Sequence, residues 1–166
     1  MTSAGMYQIR VIPSRPAHRI ASAPEVGQAM GLEPQEIHAT PRDWLDADEV
    51  TRIVDLFANL GVSHVRLTGG EPLVRKELPE IVRRLNALPG IRDLTLTTNG
   101  TQLTRYAPAL RDAGVRRINI SLDSLRPERF HAITRLGQLD KTLDGIDAAL
   151  VQGFQRVKIN AVVLKH

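Results

Sequence analysis

The sequence predicts an α/β fold with a parallel sheet, and three observations carry that prediction. Short segments with alternating polarity recur between longer amphipathic ones. Glycines at 61, 90, 114 and 153 each stand directly before an apolar residue that opens a new alternating segment. Polar and turn-forming residues gather behind the same segments, in "TGGEP", "TTNG" and "SLDS". Strands that alternate with helices imply βαβ units wound right-handedly into a parallel sheet.

The elements follow in order. "LDADEVTRIVDLFANLG" offers Asp46 as N-cap with Glu49 three residues on. Val50, Ile53, Val54 and Phe57 make its apolar face, and Gly61 ends it. "VSHVRLT" alternates as a strand. "ELPEIVRRLNALPG" is helical with Leu78, Ile81, Val82 and Leu85 in line, its charges on the solvated face. "IRDLTLTTNG" is a strand, "LTRYAPALRDAG" a helix, and "VRRINISLDS" a strand. "LDKTLDGIDAALVQG" is a helix with Leu139, Leu143, Ile146 and Leu150 in line, and "RVKINAVVLK" is the next strand. Residues 1–44 read as an irregular N-terminal segment, with proline at 13, 16, 24, 34 and 41 and one candidate strand, Tyr7–Ile12. Residues 45–166 form the domain.

Composition excludes several classes. The 166 residues are 42% hydrophobic with a formal charge of +4, which suits a globular domain with a core. No apolar run reaches the roughly 18 residues of a membrane span. The N-terminus lacks the apolar middle of a secretory signal, so a cytoplasmic protein is expected. Aromatic residues are 4% of the chain, too few for base stacking, so no nucleic-acid partner is expected. The five histidines, at 18, 37, 64, 131 and 166, show no ligand spacing, and no metal site is expected. There is no cysteine.

In sheets of this kind ligands bind at the carboxyl ends of the strands. "RLTGGEPLVRKEL" places Gly69, Gly70, Glu71 and Pro72 there. Two glycines let a ligand approach the backbone, and proline stiffens the exit. Arg66, Thr68, Thr97, Thr98, Asn119, Ser121, Lys158 and Asn160 supply polar groups near four strand ends.

"VRLTGGEPLVRKELPEIV", "LTLTTNG", "RRINISLDSLRPERFHAIT" and "IDAALVQGFQRVKINAVV" together resemble the GTP 3′,8-cyclases of molybdenum-cofactor biosynthesis, radical S-adenosylmethionine enzymes. The resemblance covers about residues 41 to 166. It implies a partial, TIM-type radical S-adenosylmethionine barrel. It further implies that Gly69, Gly70, Glu71, Pro72 and Ser121 hold S-adenosylmethionine, and that Arg66, Thr97 and Lys158 hold GTP. A cationic arginine and lysine suit a triphosphate.

One departure is severe. The family ligates a 4Fe-4S cluster through C-x-x-x-C-x-x-C after its first strand. Aligning Tyr7 and Pro24 with the family's flanking positions puts Pro16, Ile20 and Ala23 where the cysteines belong. Whether that segment corresponds or is unrelated, the cluster is expected to be absent. The expectation is therefore a cyclase by descent that is inactive as the chain stands. The alternatives are a non-catalytic nucleotide or S-adenosylmethionine module, and a half-barrel that pairs through an exposed sheet edge with a second copy or another chain.

Overall fold

A computed structural model describes residues 8–13, 45–135 and 137–162. Strand β1 spans Gln8–Pro13, and helix α1 spans Ala47–Asn59. Then follow β2 (Val62–Thr68), a 3₁₀ turn (Pro72–Val74), α2 (Leu78–Asn86), β3 (Asp93–Thr98) and α3 (Leu103–Ala113). The described chain closes with β4 (Arg117–Ser121), α4 (Pro127–Thr134), α5 (Leu139–Val151) and β5 (Arg156–Asn160).

The strands lie side by side in chain order, β1-β2-β3-β4-β5. From β2 to β5 every pairing is parallel. Unbroken order without a reversal belongs to a section of a βα barrel; a doubly wound sheet would change direction at a switch point. One expectation is corrected here. The sheet is not parallel throughout, because β1 pairs antiparallel with β2. Of the expected strand Tyr7–Ile12, Gln8 to Ile12 lie in β1 and run antiparallel to β2, while Tyr7 lies outside the described residues. A six-residue alternating pattern marks a strand but carries no information on its direction.

Local chemistry explains the repeating unit. At the start of α1 the Asp46 carboxylate accepts from Glu49 N–H, and the Glu49 carboxylate accepts from Asp46 N–H, each at 2.8 Å. This is the reciprocal cap the sequence promised, and it satisfies two donors that the helix leaves unpaired. At the far end of α3, Gly114 sits at φ 110°, a left-handed conformation that only glycine adopts cheaply.

The core lies between the helices and one face of the sheet. Val65, Leu67, Leu94, Leu96, Ile118 and Ile120 pack against Val50 and Val54 of α1, Leu78, Ile81, Val82 and Leu85 of α2, and Leu103, Ala107 and Leu110 of α3. Two helix faces differ from the sequence reading. Phe57 of α1 is exposed, not buried. On α5 the buried residues are Leu139, Thr142, Gly145 and Ala149, while Leu150 is exposed. Small residues face inward there because α5 sits tight against the loop after β3: a Cβ on Gly145 would lie 2.1 Å from the Gly100 carbonyl oxygen. Arg75 is likewise buried beside Glu77, not solvated. Among the described residues, no helix is long and apolar enough to cross a membrane.

Candidate functional site

Side chains alternate across a strand, so burial of Val65, Leu67, Leu94, Leu96, Ile118 and Ile120 under the helices turns their neighbours to the opposite face. The register aligns those neighbours in rows. Arg66, Thr95, Arg117 and Arg156 form one row. Thr97, Asn119 and Lys158 form the next, and Ser121 with Asn160 the one beyond. Rows are about 6.6 Å apart along the strands. The three residues expected to hold a nucleotide, Arg66, Thr97 and Lys158, therefore share one face and lie in adjacent rows.

Each has a distinct setting. Arg66 is half-buried, and its Nε is a buried side-chain nitrogen with no hydrogen-bond partner among the described residues. Leaving such a donor unpaired costs about 1–3 kcal/mol, and an anionic acceptor would relieve that cost. Thr97 is half-buried, and its hydroxyl oxygen accepts from Asn119 Nδ2 at 3.3 Å. Lys158 and Ser121 are exposed. One row below, Arg117 is tied to the buried Asp93 at 3.2 Å.

The glycine loop stands at the carboxyl end of β2. Gly69 is half-buried and Gly70 exposed, so backbone is presented to solvent at the strand end. Pro72 and Leu73 turn inward and are buried. The Glu71 carboxylate accepts three hydrogen bonds. Oε1 receives Leu73 N–H at 3.0 Å and the Thr98 hydroxyl at 2.6 Å, and Oε2 receives Asn99 N–H at 2.7 Å. Thr98 in turn accepts from Gly100 N–H at 3.1 Å. Thr98 thus belongs to this network and not to the polar face that Thr97 joins.

Three contributors escaped the sequence reading. The backbone of Asn99 serves both Glu71 and Thr142, whose hydroxyl donates to the Asn99 carbonyl at 3.1 Å. Thr142 is fully buried, and Gly145 admits the loop beside it. The "TTNG" motif marks the position of Asn99 but not its backbone bonds, and Thr142 and Gly145 carry no periodic signal. Beyond β4, Leu122 N–H donates to the Asn160 carbonyl at 2.9 Å, and Asp123 accepts from Val162 N–H at 2.8 Å. These bonds hold the "SLDS" loop beside the end of β5.

The donor set does not fit an iron–sulfur cluster. The chain has no cysteine to supply thiolate, and no group of three or more His, Asp or Glu among the described residues could hold a metal ion. Gly70, after β2, and Ser121, at the end of β4, are both exposed at the carboxyl end of the sheet, with β3 between their strands.

An unreversed run of parallel strands with helices packed on one face is a section of a βα barrel, with a two-glycine loop at the carboxyl end of β2. The model of the radical SAM superfamily matches residues 35–166, and the chain belongs to that superfamily. Within it, the chain is similar to GTP 3′,8-cyclases. It is 58% identical over 121 residues to GTP 3′,8-cyclase 1 of Pseudomonas aeruginosa, covering 73% of this chain and 37% of that protein. It is 53% identical over 127 residues to the GTP 3′,8-cyclase of Rhizobium etli, covering 75% and 36%. With the enzyme of Hydrogenovibrio crunogenus it shares 46% identity over 135 residues, covering 81% and 40%. The chain therefore spans well under half the length of these curated relatives.

Proposed function

We propose that this chain is the strand-end portion of a GTP 3′,8-cyclase-type site, acting in the cytoplasm on the route to the molybdenum cofactor. In this reading Arg66, Thr97 and Lys158 bind GTP, with the two cations on the phosphates. Gly69, Gly70, Glu71, Pro72 and Ser121 form the cofactor pocket, where Gly70 and Ser121 meet the amino and carboxylate groups of S-adenosylmethionine. When bound, that cofactor supplies radical chemistry in the superfamily. This chain contributes binding and orientation, and supplies no thiolate to hold the reducing cluster, so it does not cyclise GTP by itself. The observation that carries the reading is the buried Arg66 Nε, without a hydrogen-bond partner among the described residues, on the same face as Thr97 and Lys158.

Calorimetric titration of GTP into wild type and Lys158→Ala tests it. Loss of one charge-assisted hydrogen bond costs about 1.5–3 kcal/mol, so affinity should fall at least roughly tenfold. Binding that Lys158→Ala leaves untouched removes this residue from the site.

The second reading is a binding module that closes its sheet with another chain. It is favoured by β5, the edge strand, whose residues are exposed or half-exposed throughout. Sedimentation at micromolar concentration distinguishes a monomer from such an assembly.

A further inference from the structure

We propose that Glu71 is a positioning residue: its carboxylate straps the glycine loop to the end of β3 and thereby couples the cofactor pocket to the nucleotide row. The proposal deepens the reading just given and rests on it. A carboxylate offers about four acceptor positions. Three are filled from within the chain, two on Oε1 and one on Oε2, which leaves a single position on Oε2 for a ligand. The donors lie far apart in sequence: Leu73 stands two residues after Glu71 in the 3₁₀ turn, while Thr98, 27 residues on, ends β3 and Asn99 follows it. Hydrogen bonds to an ionised acceptor are roughly twice as strong as neutral ones.

The strap has a route to both proposed ligands. On its near side it caps the 3₁₀ turn that follows Gly69 and Gly70, and so fixes the exit of that loop. On its far side it holds the residue next to Thr97. Thr98 is buried on the opposite side of the strand from Thr97, so it does not reach the polar face itself. The β3 end is then seated on α5 through Thr142 and Gly145.

Thr98 offers a probe that does not line the polar face; it bonds to Glu71 and also accepts from Gly100 N–H, so amide exchange at Gly100 is followed as the control for that second bond. Affinities for GTP and for S-adenosylmethionine are measured by calorimetry in wild type, Thr98→Val, Thr98→Ser and Glu71→Gln. Amide exchange of Leu73 and Asn99 is followed by NMR in the same proteins without ligand. We expect Thr98→Val and Glu71→Gln each to weaken both ligands by about tenfold, one hydrogen bond's worth. Thr98→Ser should return both to near wild type, and Glu71→Gln should speed exchange at Asn99. If Glu71→Gln weakens S-adenosylmethionine alone and Thr98→Val changes neither ligand, Glu71 is only a ligand and the strap is overturned. Should wild type bind neither compound, the functional reading fails separately. The exchange data then decide the strap: faster exchange at Asn99 in Glu71→Gln upholds it, and unchanged exchange rejects it.

Discussion

Strands β3 and β5 belong to one sheet and have opposite environments. β3 is buried except at Thr97, which is half-buried: Leu94 and Leu96 are 1% and 0% exposed under the helices, and Thr95 on the other face is 9% exposed. β5 is buried on neither face, with Ile159 at 42% on the side where β3 packs most tightly. The exposure continues onto α5, where Leu150 and Val151 stand in solvent. The polar face crosses this gradient. Arg66 and Thr97 sit on the firm side of the sheet, with Thr97 oriented by Asn119, while Lys158 sits on the open side. Position on the firm side is fixed by packing before any ligand arrives; on the open side a ligand must order the side chain it meets, which costs entropy.

The largest expected effect lies at the firm end. Leu96→Ala should cost about 2–5 kcal/mol, the usual range for a large-to-small change in a closed core. Ile159→Ala should change stability by less than about 0.5 kcal/mol, as exposed substitutions do. Urea midpoints of the two variants measure this contrast directly. A loss at Ile159 as large as that at Leu96 would mean that β5 is covered in solution by a second copy or another chain.

A smaller effect sharpens the same contrast at the loop after β3. Gly145→Ala places a methyl group against the Gly100 carbonyl, with a Cβ only 2.1 Å from the oxygen. Overpacking of this kind costs about 1–3 kcal/mol. Thermal unfolding of Gly145→Ala beside Leu150→Ala, which should be near neutral, checks it.

How much of this was legible depends on whether the signal was local. The α1 cap, the apolar face of α2 and the glycine turns before β2 and β4 are written in neighbouring residues, and each reads correctly from the sequence. The inward face of α5 reads correctly at Leu139 and Ile146 but not at Leu150, which is exposed, and the buried Thr142, Gly145 and Ala149 give little apolar signal in the sequence. Helix α4 gave little to read: it has eight residues and buries only Phe130. The direction of β1 and the bonds from Glu71 to Thr98 and Asn99 depend on contacts far apart in sequence. The site residues Arg66, Thr97 and Lys158 were legible as polar strand-end positions, and their common face follows from pleat and register.

The smallest expected effect is electrostatic and lies away from the site. Arg84 of α2 bonds to Glu80 at 2.9 Å and to Asp48 of α1. The hydrogen bond from Arg84 holds the Glu80 carboxyl below its ordinary value of 4.5. A lowered folded-state value contributes stability above the unfolded carboxylate range and loses it as pH falls through the folded value. Glu80→Gln should therefore flatten the acid side of the stability profile slightly. Both partners are exposed, so solvent and salt screen the pair and the change is small. Denaturation from pH 6 to pH 3 at low salt would register it.

The most direct test concerns Arg66, because a buried donor without a partner among the described residues makes opposite demands on stability and binding. Arg66→Met keeps much of the side chain's length and removes the unsatisfied nitrogen. Without ligand, the variant should be as stable as wild type or more so, since an unpaired buried donor is lost. Its affinity for GTP should fall by roughly tenfold or more, the equivalent of a charge-assisted hydrogen bond. Measuring unfolding free energy and GTP affinity on the same preparation gives both numbers. A variant that is clearly destabilised yet binds GTP as wild type does would show that Arg66 serves the fold and that this face is not the nucleotide site.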